Sequence, residues 1–363
     1  QKAGAAGELL WQYRPDGSEK VSALAVGDLD GDGRDDVVAG TDKNRVLALL
    51  PDGTTRWSFA AGGPIAAVAV AGLDGGKKKT AVAGSLDCNV YAISPDGSPR
   101  WKYELPYYKR PGRVRVLLAA DLNADGRDEV LVGGENWRYF AIDGAGNKLW
   151  HYESVHPSSA AATADLDGDG KRECLLGTIY YWWHCCGPDG ARRWQYSVPG
   201  PNATVAASAN FDGGNRRAAV FGSEDGNVHA LSHEGKLLWI RSVGDEATGV
   251  VPIDLDGNGR EEIVASSKSY NVIALDAAGE PVWRRNLGEC VLSLAAADID
   301  GNGTPELLAG TLDGRIVVLD LEGKPIAHFA GEGPIVSLVA AKLRPEGKSQ
   351  VVARTEDGRA LAV

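Results

Sequence analysis

One feature constrains this chain before any other: it repeats itself. The residue that opens an Asp/Gly-rich loop recurs as Asp28, Gly72, Asp121, Asp165, Asn210, Asp254, Asp298 and Lys342, at spacings of 44, 49, 44, 45, 44, 44 and 44. A tryptophan recurs with the same period as Trp11, Trp57, Trp101, Trp150, Trp194, Trp239 and Trp283. The two series differ in chemistry and share a period, so eight units span nearly all of the 363 residues. Each unit reads as four short strands. The first alternates in polarity (Val21 to Val26) and the second is β-branched (Asp36 to Ala39). The third follows a turn such as Asp225-Gly226 or Asp313-Gly314, and the fourth surrounds the tryptophan after Pro-Asp-Gly. No helical period of useful length appears. Four-stranded units of this length are propeller blades. The last unit stops at Val363 after its third strand, and Leu9-Leu10-Trp11-Gln12-Tyr13 supplies the missing fourth. Sharing one blade between the termini pairs two edges that would otherwise be free. The expectation is an all-β, eight-bladed propeller of four-stranded blades, one domain over residues 1–363, its last blade closed by the N-terminal strand.

The segment Gly84 to Trp101, Gly-Ser-x-Asp-x-x-Val-Tyr-Ala-Ile-x-x-Asp-Gly-x-x-x-Trp, resembles the PQQ-like repeat with its docking tryptophan. Asp28 to Asp36, Asp-x-Asp-x-Asp-Gly-x-x-Asp, resembles the calcium loop of FG-GAP, or integrin-type, repeats. The combination is similar to secreted bacterial propellers. The resemblance implies the fold and a secreted or periplasmic location, and it leaves function open, because function lives in sites grafted on folds.

Five loops keep an oxygen-rich pattern at their first, third, fifth and ninth positions. They read Asp28, Asp30, Asp32, Asp36; Asp121, Asn123, Asp125, Glu129; Asp165, Asp167, Asp169, Glu173; Asp254, Asp256, Asn258, Glu262; and Asp298, Asp300, Asn302, Glu306. Oxygen-only donors suit a hard cation, a carbonyl at position seven completes the set, and glycine at position six permits the turn. Up to five structural Ca²⁺ ions are expected. The acid at position nine rather than twelve excludes an EF-hand. The loops opening at Gly72, Asn210 and Lys342 have lost the pattern and gained Lys or Arg, so a side-chain cation is expected in the ion's place.

Composition narrows the classes further. The net charge of −11 argues against a general nucleic-acid binder, and five divalent ions would offset ten of those charges. No apolar run approaches the roughly 18 residues of a membrane-spanning helix. The chain lacks methionine, so it reads as a mature or excised segment whose expected partners include other modules of a longer secreted protein. Adjacent Cys185-Cys186 is a feature of PQQ dehydrogenases, but here the pair aligns with the core residues Ala48-Leu49. Buried thiols, with Cys174, and no PQQ are the expectation. Nucleophile-elbow, zinc-protease and phosphate-loop motifs are missing.

Departures from the repeat mark the expected ligand surface. In a meander, the acidic loops and Pro-Asp-Gly turns share one face, and the second-to-third hairpins and inter-blade loops share the other. On that second face, units three and four carry Trp137, Arg138, Tyr180, Tyr181 and Trp182 where other tips are small or polar. The insertion entering unit three adds Tyr107, Tyr108, Lys109, Arg110, Arg113 and Arg115, and the loop entering unit four adds His156. Tyr270 is an aromatic tip in unit six. Tyr139, Trp183 and Tyr180 are expected to turn into the blade core, and Trp137, Tyr181 and Trp182 to face solvent. Aromatic planes stack on sugar rings, and the basic residues favour an anionic glycan. The first reading is a non-catalytic polysaccharide-binding module. The second is a uronate-cleaving polysaccharide lyase, with Arg110, Arg113 or Arg138 neutralising the carboxylate and Tyr108, Tyr181, His156 or His184 abstracting the proton. The third is a protein-interaction scaffold, similar to the outer-membrane assembly propellers.

Overall fold

The computed structural model describes residues 8–198, 202–345 and 347–363. Every regular element among them is a strand, arranged as eight four-stranded antiparallel sheets. Blade one runs through Val21–Gly27, Asp36–Thr41, Arg45–Leu49 and Thr55–Ala60, and the next six blades repeat that order. Blade eight combines Ile335–Ala341, Gln350–Thr355 and Ala360–Ala362 with the N-terminal Trp11–Tyr13. Trp11, Gln12 and Tyr13 pair antiparallel with Ala362, Leu361 and Ala360, so the ring closes as the repeat requires.

Burial explains the composition of each strand. Six of the eight second strands, such as Asp36–Thr41 and Glu173–Thr178, are buried at every residue because neighbouring blades cover both faces. They therefore read as continuous apolar runs. The fourth strands alternate, as Thr55–Ala60 does, because one edge meets solvent. The apolar clusters lie between blades. One joins Val21, Val37 and Leu47 of blade one to Ala341 and Val352 of blade eight across the closure.

The repeat tryptophans fasten each blade to the next. Trp57 donates its indole N–H to Pro95 O at 3.0 Å, and Trp101, Trp150, Trp194, Trp239 and Trp283 do the same to Gly144, Pro188, His233, Ala277 and Leu321 at 2.7–3.0 Å. Trp11 reaches Pro51 O at 2.9 Å. Each indole also lies on a glycine of that turn. A Cβ on Gly97 would stand 2.8 Å from Trp57, and φ there is +87°, so glycine is required twice over. Only the seventh-to-eighth junction departs among the described residues. Ala327 takes the tryptophan position, and a cavity of about 260 Å³ lies there against Phe329, Leu10 and Val363.

These contacts predict a graded series. Trp57→Phe keeps the ring and loses one hydrogen bond, costing about 1 kcal/mol. Trp57→Ala removes the packing as well and is expected to cost about 3 kcal/mol or more, read by chemical denaturation.

Candidate functional site

The two faces separate as the meander dictates. On the first face, acidic loops and third-to-fourth turns interlock: Arg56, opening a fourth strand, reaches Asp30 at 2.6 Å, and Arg100 grips Asp74 at 2.5 Å and 2.6 Å. In all five patterned loops the first carboxylate accepts backbone N–H groups of its own turn. Asp165, for example, receives Gly168, Asp169 and Gly170 at 2.7–3.1 Å. The ninth residue accepts the second residue's N–H, as Glu173 does from Leu166 at 2.9 Å. Burial pushes the Asp36 carboxyl up to about 6, and it raises Glu129, Glu173, Glu262 and Glu306 as well.

Carboxylate oxygens of positions one, three and nine gather within 4.8 Å in blades four, six and seven. In blade one the gathering is Asp28, Asp30 and Asp32, while Arg56 lies between Asp30 and Asp36, 3.3 Å from the latter. In blade three Asn123 turns its amide N–H toward Glu129 at 3.2 Å. Glu173 Oε1 is buried with no hydrogen-bond partner, which is the state of an oxygen suited to a cation. The donor set thus fits a hard divalent ion most closely in blades four, six and seven.

The three loops without the pattern are braced differently from the expectation of a substitute cation alone. The opening N–H of Gly72 is bound by Asp128 at 2.5 Å, that of Asn210 by Glu261 at 2.7 Å, and that of Lys342 by Asp35 at 2.8 Å. Each acid is the eighth loop residue of the following blade. After the five patterned loops the same position holds Lys79, Arg172, Arg217, Pro305 or Ser349, never an acid. A cation does take part in blade five, where Arg217 pairs with Glu261 at 2.6 Å.

The second face carries the aromatic departures. All eight hairpin tips are left-handed: Asn44, Cys88, Trp137, Tyr181 and Tyr270 with φ of 62–73°, Gly226, Gly314 and Gly358 with φ of 80–90°. Large side chains are rare in that region, and each costs of order 1 kcal/mol. Trp137 and Tyr181 nonetheless occupy adjacent tips and meet at His156, 5.5 Å and 5.8 Å away between ring centroids. Tyr180 completes the group, 5.7 Å from His156 and edge-on to it. Tyr180 is 49 % exposed, correcting the expectation that it turns inward, because the strand begins only at Trp182. Tyr139 and Trp183 are fully buried as expected. Tyr181 is half exposed, whereas Trp137 and Trp182 are half-buried. Burial lowers His156 and keeps its imidazole neutral at neutral pH.

Hairpin three also leans toward the preceding inter-blade loop. The Arg138 guanidinium stacks 3.6 Å over the Tyr108 ring, and the Tyr108 hydroxyl donates to Glu153 at 2.5 Å. That bond holds the phenol above its ordinary range, which disfavours Tyr108 as a base. Tyr107 is 74 % exposed beside a tight turn in which Lys109 is left-handed and Tyr108 and Arg110 bond each other's backbone. Arg113 and Arg115 both face Glu135, at 3.7 Å and 3.9 Å, and Arg115 Nε donates to Ser158 O of the next blade. Those two brace the ring. Tyr270 is exposed on blade six and touches none of this group among the described residues. His184, a candidate base from sequence, is 1 % exposed and bonded to Tyr152 and Ser154 O, so it belongs to the core. Four buried polar atoms in this region have no partner: Asn136 Oδ1, Trp137 Nε1, Arg138 Nε and Ser159 Oγ. Glu153 and Ser159 carry no sequence signal; only the register of paired strands brings them here.

With this geometry in place, similarity to known proteins is informative. A profile for the lambda-carrageenase beta-propeller domain matches residues 3–102 and 262–359, more than half of the chain. The chain belongs to the lambda-carrageenase beta-propeller domain family. A second profile, for the outer membrane protein assembly factor BamB, matches residues 118–298. No match was found among curated proteins. Among solved structures, Sqt1 of Saccharomyces cerevisiae superposes with a TM-score of 0.79 at 11 % identity over 99 % of both chains. BamB of Moraxella catarrhalis gives 0.66 at 18 % identity over 98 % of both. BBS1N, from its complex with ARL6DN, gives 0.61 at 14 % identity over 99 % of this chain and 93 % of that one. At these identities the superpositions establish the fold alone. Within the carrageenase-type propeller, the aromatic group lies between the two matched stretches, in blades three and four.

The buried His184 generates a pH prediction. Burial lowers its pKa to about 4, against about 6.5 in an unfolded chain. The unfolded state therefore binds more protons between those values, and stability falls as pH drops from 6.5 to 4. His184→Gln is expected to lower Tm at pH 7.5 yet show a shallower loss of Tm over that window, measured by thermal melts against the wild type.

Proposed function

We propose that this propeller is a recognition module for an anionic polysaccharide, braced by calcium and working in a secreted or periplasmic setting. The observation that carries the reading is the pair of aromatic tips. Trp137 and Tyr181 accept left-handed backbone where four of the other six blades use glycine or asparagine, and they converge on His156. Strain kept at an exposed surface is a mark of function rather than folding. Trp137, Tyr180 and Tyr181 offer planar surfaces for sugar faces. Lys109 and Arg110 have no ion pair among the described residues and supply the preference for negative charge. The family name supports a carbohydrate ligand. A lyase reading is favoured by one observation, His156 standing 5.8 Å from Tyr181 with its pKa lowered by burial.

A binding screen tests this, with a sulfated galactan, a polyuronate and a neutral galactan, each with Ca²⁺, while ultraviolet absorbance follows unsaturated uronate products. Binding without products, weakened about tenfold or about 1.4 kcal/mol in Trp137→Asn, is the expected result. Products that vanish in His156→Ala would make the protein a lyase. No binding to any glycan would favour a protein-interaction scaffold. Calcium is tested separately: Tm is expected to rise with added Ca²⁺, fall with a chelator, and respond less in Glu173→Gln. A site at ~100-fold excess over Kd contributes about 2.7 kcal/mol.

A further inference from the structure

Arg138 differs from Arg113 and Arg115, its neighbours on this face, in having no carboxylate partner. Its strand, Arg138–Ile142, pairs with Lys148–Glu153 so that Arg138 stands directly opposite Glu153. Opposite charges in that register ordinarily pair. Here Glu153 is diverted: it accepts the Tyr108 hydroxyl at 2.5 Å, and no ion pair joins it to Arg138. The guanidinium carbon instead lies over the Tyr108 ring, 3.6 Å from its centroid. Its Nε is buried without a partner, and no protein acceptor takes its terminal nitrogens among the described residues. A planar fork fixed on one face by stacking and left without a carboxylate matches a tetrahedral or planar oxyanion, which takes two parallel N–H bonds.

We infer that Arg138 is the anion-reading residue of this surface, binding one sulfate ester or carboxylate of the ligand end-on, while Tyr108 and Glu153 position it. This rests on the polysaccharide reading and adds which residue confers charge selectivity. Trp137, the preceding residue, leans the other way onto His156. The anionic group and the stacked sugar therefore lie on opposite flanks of one hairpin. Tyr108 acts as a positioning residue: its hydroxyl occupies the carboxylate that would otherwise neutralise Arg138.

Two experiments on the full chain test this apart from the glycan reading. The first titrates inorganic sulfate into 15N-arginine-labelled protein and follows the Arg138 Nε–H resonance, assigned by its loss in Arg138→Lys. A saturable shift is expected, and a resonance that sulfate leaves unmoved overturns the inference even where glycans bind. The second measures binding of the sulfated galactan, the polyuronate and the neutral galactan. Arg138→Gln is expected to lose about tenfold for the charged ligands and nothing for the neutral one, and the preferred charged ligand distinguishes sulfate ester from carboxylate. Tyr108→Phe is expected to weaken charged ligands several-fold by releasing Glu153, and Tyr108→Phe/Glu153→Gln to restore them. Equal loss in the single and double variants would reduce Tyr108 to packing and overturn the positioning role. A sulfate shift without glycan binding would keep the anion site and sink the polysaccharide reading.

Discussion

The rest of this molecule depends on an indole N–H reaching the carbonyl of the next blade's turn. A single blade buries one face against each neighbour and has no core of its own, so its stability resides in the junctions. The tryptophan supplies what a junction needs: a broad apolar plane over a bare glycine and one directional bond that fixes the register between sheets. Seven of the eight junctions use this same device, and the ring closes on the N-terminal strand. Ala327 shows the converse. Where the indole is missing, a cavity remains.

The face that carries these turns also carries the acidic loops, and the two systems share the task of joining blades. Four of the five patterned loops gather their own carboxylates, a repulsive arrangement that favours a cation. The other three have lost them, and a single acid from the following blade binds the opening N–H instead. The acid at position eight follows each loop without the pattern and none of the others. One interaction has replaced another at the same point of the ring, and the loops opening at Gly72 and Asn210 keep one left-handed residue where the patterned loops have two.

The opposite face carries less of this work, Arg115 to Ser158 O being one such bond. Its hairpin tips need only a left-handed residue, which glycine or asparagine supplies without strain. Trp137, Tyr181 and Tyr270 fill three tips at a conformational cost that packing does not recover, since both tyrosines remain half exposed.

The repeat period, the strand order within a blade, the ring closure and the faces of loops and tips were all legible in the sequence. Each follows from a local pattern repeated eight times: alternation, turn residues and the recurrent tryptophan. The aromatic tips were legible for the same reason, as exceptions to a known register. What only the tertiary structure decided are relations between residues of different blades or opposed strands. The sequence does not show that Glu153 turns to Tyr108 rather than Arg138, that Arg115 is spent on the neighbouring blade, or that Tyr180 stays outside while His184 goes in. Nor does it show that Asp128 serves the loop 56 residues earlier. Local patterns fix which element forms, because backbone geometry and solvent act on neighbours in the chain. Partners across a blade junction are chosen by the rotation between sheets, and no short stretch of sequence encodes that rotation.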